Sequence, residues 1–277
     1  MDVLVVIGVG GMGEAIVRRS GAGSRVLLGD FNADALQRVV SRLAGDGFDV
    51  VAETVDVSDR ASVESLGARA EHLGRVVKVA HTAGLSPVQA PADAIVRVDL
   101  AGVAYSLDAF GSVIAAGGAG VVIASMAGSM TAGSLPAELE QALAHTPSAS
   151  LLELPFLAEG AVPDPGAAYG IAKRANQLRV QTASLAWGAR GARVNSVSPG
   201  VISTPMGRQE LDGASGGSMR AMVEASGTHR FGTPSDIASA VDFLLGPDST
   251  FITGTDLLVD GGVVAAVRSG AVALPTR

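Results

Sequence analysis

The 277-residue chain contains no cysteine. Disulfides, thiolate metal sites and cysteine nucleophiles are therefore excluded. Aromatic residues make up 4% of the chain, against 48% hydrophobic residues overall and 36 glycines. Such a composition suits a core of small aliphatic side chains in close helix–sheet contact rather than an aromatic-rich β-sandwich. Long hydrophobic runs are also missing: nothing approaches the roughly 18 apolar residues needed to span a bilayer. The apolar stretch Val3–Ile7 has no basic lead segment and runs straight into glycines, too short for a signal peptide. A cytoplasmic protein with no membrane partner is the expectation. Positive charge is in deficit, with a formal net charge of −7, which disfavours nucleic acid and anionic surfaces as partners. The four histidines (His72, His81, His145, His229) are dispersed, so no metal site is expected.

Two residue types are scarce enough for their placement to be informative. The chain has two tyrosines (Tyr105, Tyr169) and two lysines (Lys78, Lys173), and Tyr169 stands four residues before Lys173. On a helix that spacing puts both on one face, with Cβ atoms about 6 Å apart. An ammonium there favours the phenolate and should pull the tyrosine pKa from about 10 toward neutrality. The pair is a candidate acid/base.

Short β-branched runs alternate with helical patterns along the chain. Strands are predicted at 3–8, 25–30, 48–55, 76–81, 119–125, 192–198 and 256–260. Helices are predicted near 12–20, 33–44, 59–73, 93–117, 167–190 and 234–245. This alternation argues for a parallel sheet covered on both faces, and unbroken apolar runs such as Val3–Ile7 fit strands buried on both sides. With no internal repeat and no linker, residues 1–277 read as one domain. Two segments interrupt the rhythm. Residues 129–166 carry prolines and five acids (Glu138, Glu140, Glu153, Glu159, Asp164) but no lysine or arginine. Residues 205–231 are rich in Gly, Ser and Met. Both read as lids; Met206, Met219 and Met222 could line an apolar pocket or simply pack the second lid.

The turn Gly8-Val9-Gly10-Gly11-Met12-Gly13 leaves the first strand and opens the first helix. It matches the dinucleotide fingerprint: Gly8 for the tight turn, Gly10 for backbone approach to a pyrophosphate, and Gly13 for helix–strand packing. An acid, Asp30, ends the second strand about 20 residues on, as the fingerprint requires. Asp30 would accept from the adenosine ribose hydroxyls and repel a 2′-phosphate. Phe31 and Asn32 offer no compensating arginine, so NAD is favoured over NADP. Alternatively Asp30, with Asn32 and Asp34, caps the next helix.

With these residues in place the chain resembles the short-chain dehydrogenase/reductase family over nearly its whole length. Asp56-Val57 is similar to the family's adenine-contacting pair. His81-Thr82-Ala83-Gly84 stands where Asn-Asn-Ala-Gly is usual. Ser125-Met126-Ala127-Gly128 resembles the segment with the catalytic serine, and Tyr169 to Lys173 is the Tyr-x-x-x-Lys motif. Asn195 through Pro199-Gly200, Val201 and Thr204 resembles the loop that holds the nicotinamide carboxamide and a phosphate. Val259-Asp260-Gly261-Gly262 matches the usual end of the last strand. Three departures stand out: Ile7 replaces the threonine of the glycine turn, Asp99 sits where an asparagine usually serves the proton relay, and Ser125 precedes Tyr169 by 44 residues rather than the family's much shorter spacing. The acidic segment 129–166 is thus an insertion, expected to cover the substrate.

The resemblance implies a Rossmann-like, doubly wound, seven-stranded parallel sheet with helices on both faces. It implies direct hydride transfer, with Ser125, Tyr169, Lys173 and Asp99 as the catalytic set. Gly8, Gly10, Met12, Gly13, Asp30, Asp56, Val57, Ala83, Gly84, Tyr169, Lys173, Pro199, Val201 and Thr204 would hold NAD. The expected substrate is a mostly apolar secondary alcohol or its ketone, such as a steroid-like, terpenoid or cyclic alcohol. A catalytically silent NAD-binding sensor, or an epimerase or dehydratase with bound NAD, are the alternatives. Relatives commonly form tetramers through the helices flanking the fifth strand, here near 93–117 and 167–190. A homotetramer or homodimer is expected, with the tail Val263–Leu274 packing across an interface.

Overall fold

The computed structural model describes residues 1–272 other than Glu159. Its seven strands are β1 (Asp2–Ile7), β2 (Arg25–Asp30), β3 (Asp49–Thr54), β4 (Arg75–His81), β5 (Ile114–Ile123), β6 (Arg193–Pro199) and β7 (Asp256–Val259). They form one sheet in the order β3-β2-β1-β4-β5-β6-β7, every pairing parallel. The expected doubly wound sheet is the one observed. Strand order reverses between β1 and β4, so the connections leaving the carboxyl ends of those paired strands turn to opposite faces of the sheet and leave a crevice, where ligands of such sheets bind.

β1 shows why the sheet is covered twice. Val3, Val5 and Ile7 face a cluster with Val63, Phe110 and Trp187, while Leu4 and Val6 face Ile16, Leu36, Leu43 and Val241 on the other side. Alternate side chains of one strand thus feed two cores. One layer comprises α1 (Gly11–Ser20) and α2 (Ala33–Gly45). The other begins with α3 (Arg60–Leu73) and continues as α4 (Ala92–Ile95), a π-helical turn (Val96–Ala101) and α5 (Gly102–Val113) in unbroken succession.

The sequence reading carried that helix to 117, but the chain turns extended at Ile114. Gly117 adopts φ +80°, and the β4–β5 register shifts between the pairs Val76–Ile114 and Lys78–Ala119. The helix has already ended at Val113, and the glycines at 117 and 118 keep the chain from resuming it despite the helix-favouring alanines at 115 and 116.

The segment after β5 forms α6 (Met126–Thr131), α7 (Ala137–His145) and two 3₁₀ turns (Ser148–Glu153, Pro155–Leu157) before the long α8 (Pro165–Ala189). Leu143, Leu151 and Leu157 bury themselves against Ile95, Leu100, Ala168, Ala172 and Ala175. Polar contacts fix the same docking. Arg174 Nε donates to Glu140 at 2.7 Å, Arg179 donates to the carbonyls of Leu143 and Thr146, and Ser148 Oγ donates to Asp108. Two of the inserted acids thus have structural roles: Glu140 pairs with Arg174, and Asp164 caps α8 through the Ala167 amide.

Beyond β6 lie α9 (Pro205–Asp212), α10 (Gly216–Ala225), α11 (Pro234–Leu245) and, after β7, α12 (Val263–Arg268). Val263 packs in its own chain with Val201, Met222 and Val223, rather than waiting for a partner; Ala273 and Leu274 of the expected interface tail lie outside the described residues. Among those residues no helix is long and apolar enough to cross a membrane.

Candidate active site

Ser125 follows β5 and caps α6, its hydroxyl accepting from the Ala127 amide at 3.1 Å. Tyr169 and Lys173 occupy one face of α8, with Nζ 5.4 Å from the centre of the phenol ring. The sheet end and the helix face meet in one cavity lined by Ser125, Tyr169 and Lys173 together with Asp99 and Thr204. Of the residues expected for catalysis, all four are brought together.

Asp99 owes its position to the π-helical turn. One extra residue per turn is a local distortion often found at functional sites, and here it sits where Asp99 meets α8. The carboxylate is fully buried. Its Oδ2 lies 3.0 Å from Lys173 Nζ, and its Oδ1 accepts from the Leu85 amide at 2.7 Å. Gly84 leaves room for the pair, since a Cβ there would fall 2.9 Å from Asp99 Oδ2 and 3.2 Å from Lys173 Nζ.

The electrostatics differ from the sequence expectation. Burial pushes the Tyr169 phenol above its ordinary range; the Lys173 ammonium opposes this, but the Asp99 carboxylate works against the lysine. A lysine already neutralised by a carboxylate cannot pull the phenol to neutrality by itself. Burial also pushes Asp99 upward, against Lys173. Lys173 itself is disfavoured as an ammonium by burial, yet ends above its usual value because Asp99 and Tyr169 hold the charge. His81 is buried beside this group and hydrogen-bonds Ser106 across 3.0 Å. Burial, with Lys173 adding to it, lowers its pKa to about 3, so the ring is neutral packing.

The glycine turn forms the floor of an adjoining cavity of about 550 Å³. Gly8 adopts φ +96°, and a Cβ on it would meet the Ala83 amide nitrogen at 2.5 Å; one on Gly13 would fall 2.0 Å from the Gly8 carbonyl oxygen. Gly10 is the opposite case, with nothing within 4 Å of the place a Cβ would take. The turn is tight where it packs and open where a pyrophosphate would approach. Asp30 stands at the cavity wall with Gly8, Gly10, Asp56, Val57, Ala83 and Gly84. Its carboxylate accepts from the amides of Val9 and Asn32, each at 2.8 Å, which ties β2 to the turn and leaves further lone pairs for a ribose. Helix capping falls to Asn32, which accepts from Ala35. These donors and this space fit a nicotinamide dinucleotide.

Met12, Pro199 and Thr204 line the Tyr169 cavity, and Thr204 also caps α9 through the Gly207 amide. Thr82, Gly84, Leu85 and Met206 border both cavities, making them one cleft. Val201 is the exception, its side chain packed under α10 in the cluster with Met222 and Val263. Among the described residues none from 129–166 lines the Tyr169 cavity. The insertion was expected over the substrate; its leucines instead find their apolar surface on the outer side of α4 and α8. The residue missed from sequence is Glu210, which enters the cavity from α9. Its spacing of four from Met206 on a capped helix was the available signal.

Known proteins give the same picture. A family model described as short chain dehydrogenase matches residues 2–137, and one described as enoyl-(acyl carrier protein) reductase matches 134–264. A short-chain dehydrogenase/reductase of Alternaria brassicicola, bsc3, is 44% identical over 264 residues, covering 95% of this chain and 96% of the relative. D-threitol dehydrogenase of Mycolicibacterium smegmatis is 28% identical, covering 94% and 91%. Among solved structures, levodione reductase superposes with a TM-score of 0.75 at 23% identity, covering 96% of this chain and 98% of that one; this likeness concerns the fold. The chain belongs to the short-chain dehydrogenase/reductase family, oxidoreductases that act on CH–OH groups with a nicotinamide cofactor.

Proposed function

We propose that the chain is an NAD-dependent oxidoreductase interconverting a secondary alcohol and its ketone, with Tyr169 as the acid/base. The observation that carries this reading is the convergence of Ser125, Tyr169 and Lys173 on a cavity continuous with the glycine-turn cleft. When bound, the nicotinamide supplies or receives the hydride. The Ser125 hydroxyl donates to the substrate oxygen and steadies its developing charge. Tyr169 as phenolate removes the alcohol proton as the C=O bond forms; as phenol it returns that proton in reduction. Lys173 holds positive charge beside the phenol, and Asp99 holds Lys173. Gly8, Gly10, Met12 and Gly13 would seat the pyrophosphate side, Asp56 and Val57 the adenine, and Ala83, Gly84, Pro199, Val201 and Thr204 the nicotinamide half.

Preference for NAD rests on Asp30 and on the absence of lysine and arginine from the described lining of its cavity. A 2′-phosphate would meet a carboxylate and no cation. Leu85, Ile202 and Met206 give the reacting end apolar walls, which favours a cyclic or otherwise largely apolar alcohol. Assembly as a homodimer or homotetramer is part of the proposal. Because the insertion covers the N-terminal part of α8, a partner on that helix would meet the stretch around Leu185, which is 79% exposed.

The test is a panel of secondary alcohols with NAD and with NADP, followed by absorbance of the reduced nicotinamide. Turnover with NAD that falls by about 10²–10⁴ in Tyr169→Phe is expected. NAD binding without turnover of any alcohol, unaffected by Tyr169→Phe, would overturn the reading in favour of a sensor.

A further inference from the structure

The catalytic cavity contains one ionisable group that the mechanism does not use. Glu210 projects from α9 into the same cavity as Ser125, Tyr169 and Lys173. Helix α9 is held in place at both ends: Thr204 caps its start, and Gln89 Nε2 donates to Gln209 Oε1 at 3.0 Å, tying it to the loop after β4. The Glu210 carboxyl has no hydrogen-bond or ion-pair partner among the described residues. Lys173 is the only cation on the described lining of the cavity, and it is already committed to Asp99. Burial pushes the Glu210 carboxyl above its usual range, and its charge makes the Tyr169 phenol harder to ionise. A group that hinders the acid/base at its task is not placed there for proton transfer. A half-buried carboxylate on a cavity wall, with no protein donor to its oxygens among the described residues, keeps its acceptor capacity for a ligand that brings a donor.

We propose that Glu210 is the specificity-determining residue of this cavity, accepting a hydrogen bond from a second hydroxyl group of the substrate. The inference rests on the oxidoreductase reading and narrows it: the substrate is a diol, or the corresponding hydroxyketone, on a largely apolar frame rather than a simple alcohol. A hydroxyl is favoured over an ammonium because much of the remaining wall, Met12, Leu85, Ile123, Ile202 and Met206, is apolar and would strip a cation of water at far greater cost. The bond would be charge-assisted and correspondingly strong. An anionic substituent at this position is repelled.

The experiment compares cyclohexanol, the 1,2-, 1,3- and 1,4-cyclohexanediols and 2-aminocyclohexanol as substrates of wild type, Glu210→Gln and Glu210→Ala. Wild type should favour at least one diol over cyclohexanol by roughly tenfold to a hundredfold in kcat/KM, the range of a hydrogen bond to a charged group. Glu210→Ala should lose that preference, with Glu210→Gln keeping part of it. Equal use of cyclohexanol and all three diols by wild type, or a preference that survives Glu210→Ala, overturns the proposal. Preference for the amino alcohol over every diol overturns it too, in favour of a cationic substrate. Failure of wild type to turn over any alcohol would sink the oxidoreductase reading itself. Calorimetric binding of the diols to the NAD-loaded Tyr169→Phe protein, with and without Glu210→Ala, then decides the role of Glu210 separately: binding lost with Glu210→Ala supports it, and binding unchanged or absent overturns it.

Discussion

Lys173 Nζ lies 3.0 Å from Asp99 Oδ2 in a place where both side chains are almost wholly withdrawn from water. The pair ties α8 to the π-helical turn and sets the field at Tyr169. It also divides the lysine's influence, since part of the positive charge is answered by Asp99 before it reaches the phenol. Removing one member of a buried pair strands the other, so the two halves of the site stand or fall together.

Asp99→Asn removes a charge that raises the Tyr169 pKa and leaves Lys173, which lowers it. The phenol should therefore ionise at lower pH. Alcohol oxidation needs the phenolate and rises as pH passes through that pKa, so its pH profile should move toward acid relative to wild type. The profile of kcat/KM against pH is the measurement, and a shift in the alkaline direction would contradict the assignment. Asp99→Ala, which also leaves a hole, should lower unfolding free energy by roughly 3 kcal/mol, read from denaturant midpoints.

Tyr169→Phe should reduce kcat by about 10²–10⁴, the usual worth of a positioned acid/base, while affinity for NAD changes little. Burial opposes ionisation of this phenol, so its loss does not strip the fold of a charge it depends on. A thermal midpoint near that of wild type, alongside the lost rate, separates a chemical role from a packing one.

The glycine turn makes two opposite predictions. Gly13→Ala would drive a Cβ against the Gly8 carbonyl, whereas Gly10→Ala would place one in open space. Gly10→Ala should fold with an unchanged melting temperature yet bind NAD roughly tenfold more weakly, because the methyl occupies the approach of the pyrophosphate. Gly13→Ala should be destabilised before any ligand is added. Calorimetry with NAD, beside thermal melts without it, checks both.

Much of this was legible in the sequence because it depends on local spacing. Gly8 to Gly13 followed a β-branched run, and Tyr169 and Lys173 were rare residues one helical turn apart, so both could be placed without knowing the sheet. The π-helical turn at Val96–Ala101 was not legible, since it arises where a helix must accommodate Asp99 against Lys173 from a distant segment. The same holds for the insertion. The leucines at 151, 152, 154 and 157 are a signal of an ordered segment, but which surface they cover depends on the faces that α4 and α8 present. Nor does spacing reveal the Tyr169 field, because the balance among burial, Lys173, Asp99 and Glu210 exists only once four separate elements have met.

Arg179 gives the insertion its clearest test. It is buried in the middle of α8, and its guanidinium donates to the carbonyls of Leu143 and Thr146, at 3.0 and 2.9 Å, where α7 ends. Those carbonyls belong to the last turn of a helix and the residue after it, which lack intrahelical donors. Arg179→Ala would leave them unpaired at a cost of about 1–3 kcal/mol and loosen α7 from α8. Hydrogen exchange should then accelerate in 137–157 ahead of the β-sheet. Because this segment is absent from the described lining of the Tyr169 cavity, KM for the alcohol should stay within about twofold of wild type, well under the tenfold that 1.4 kcal/mol represents. Gln209→Ala, which releases α9 from Gln89, is the contrasting variant and should raise KM while leaving exchange in 137–157 unchanged. A large rise in KM with Arg179→Ala would return the insertion to the role of a substrate lid.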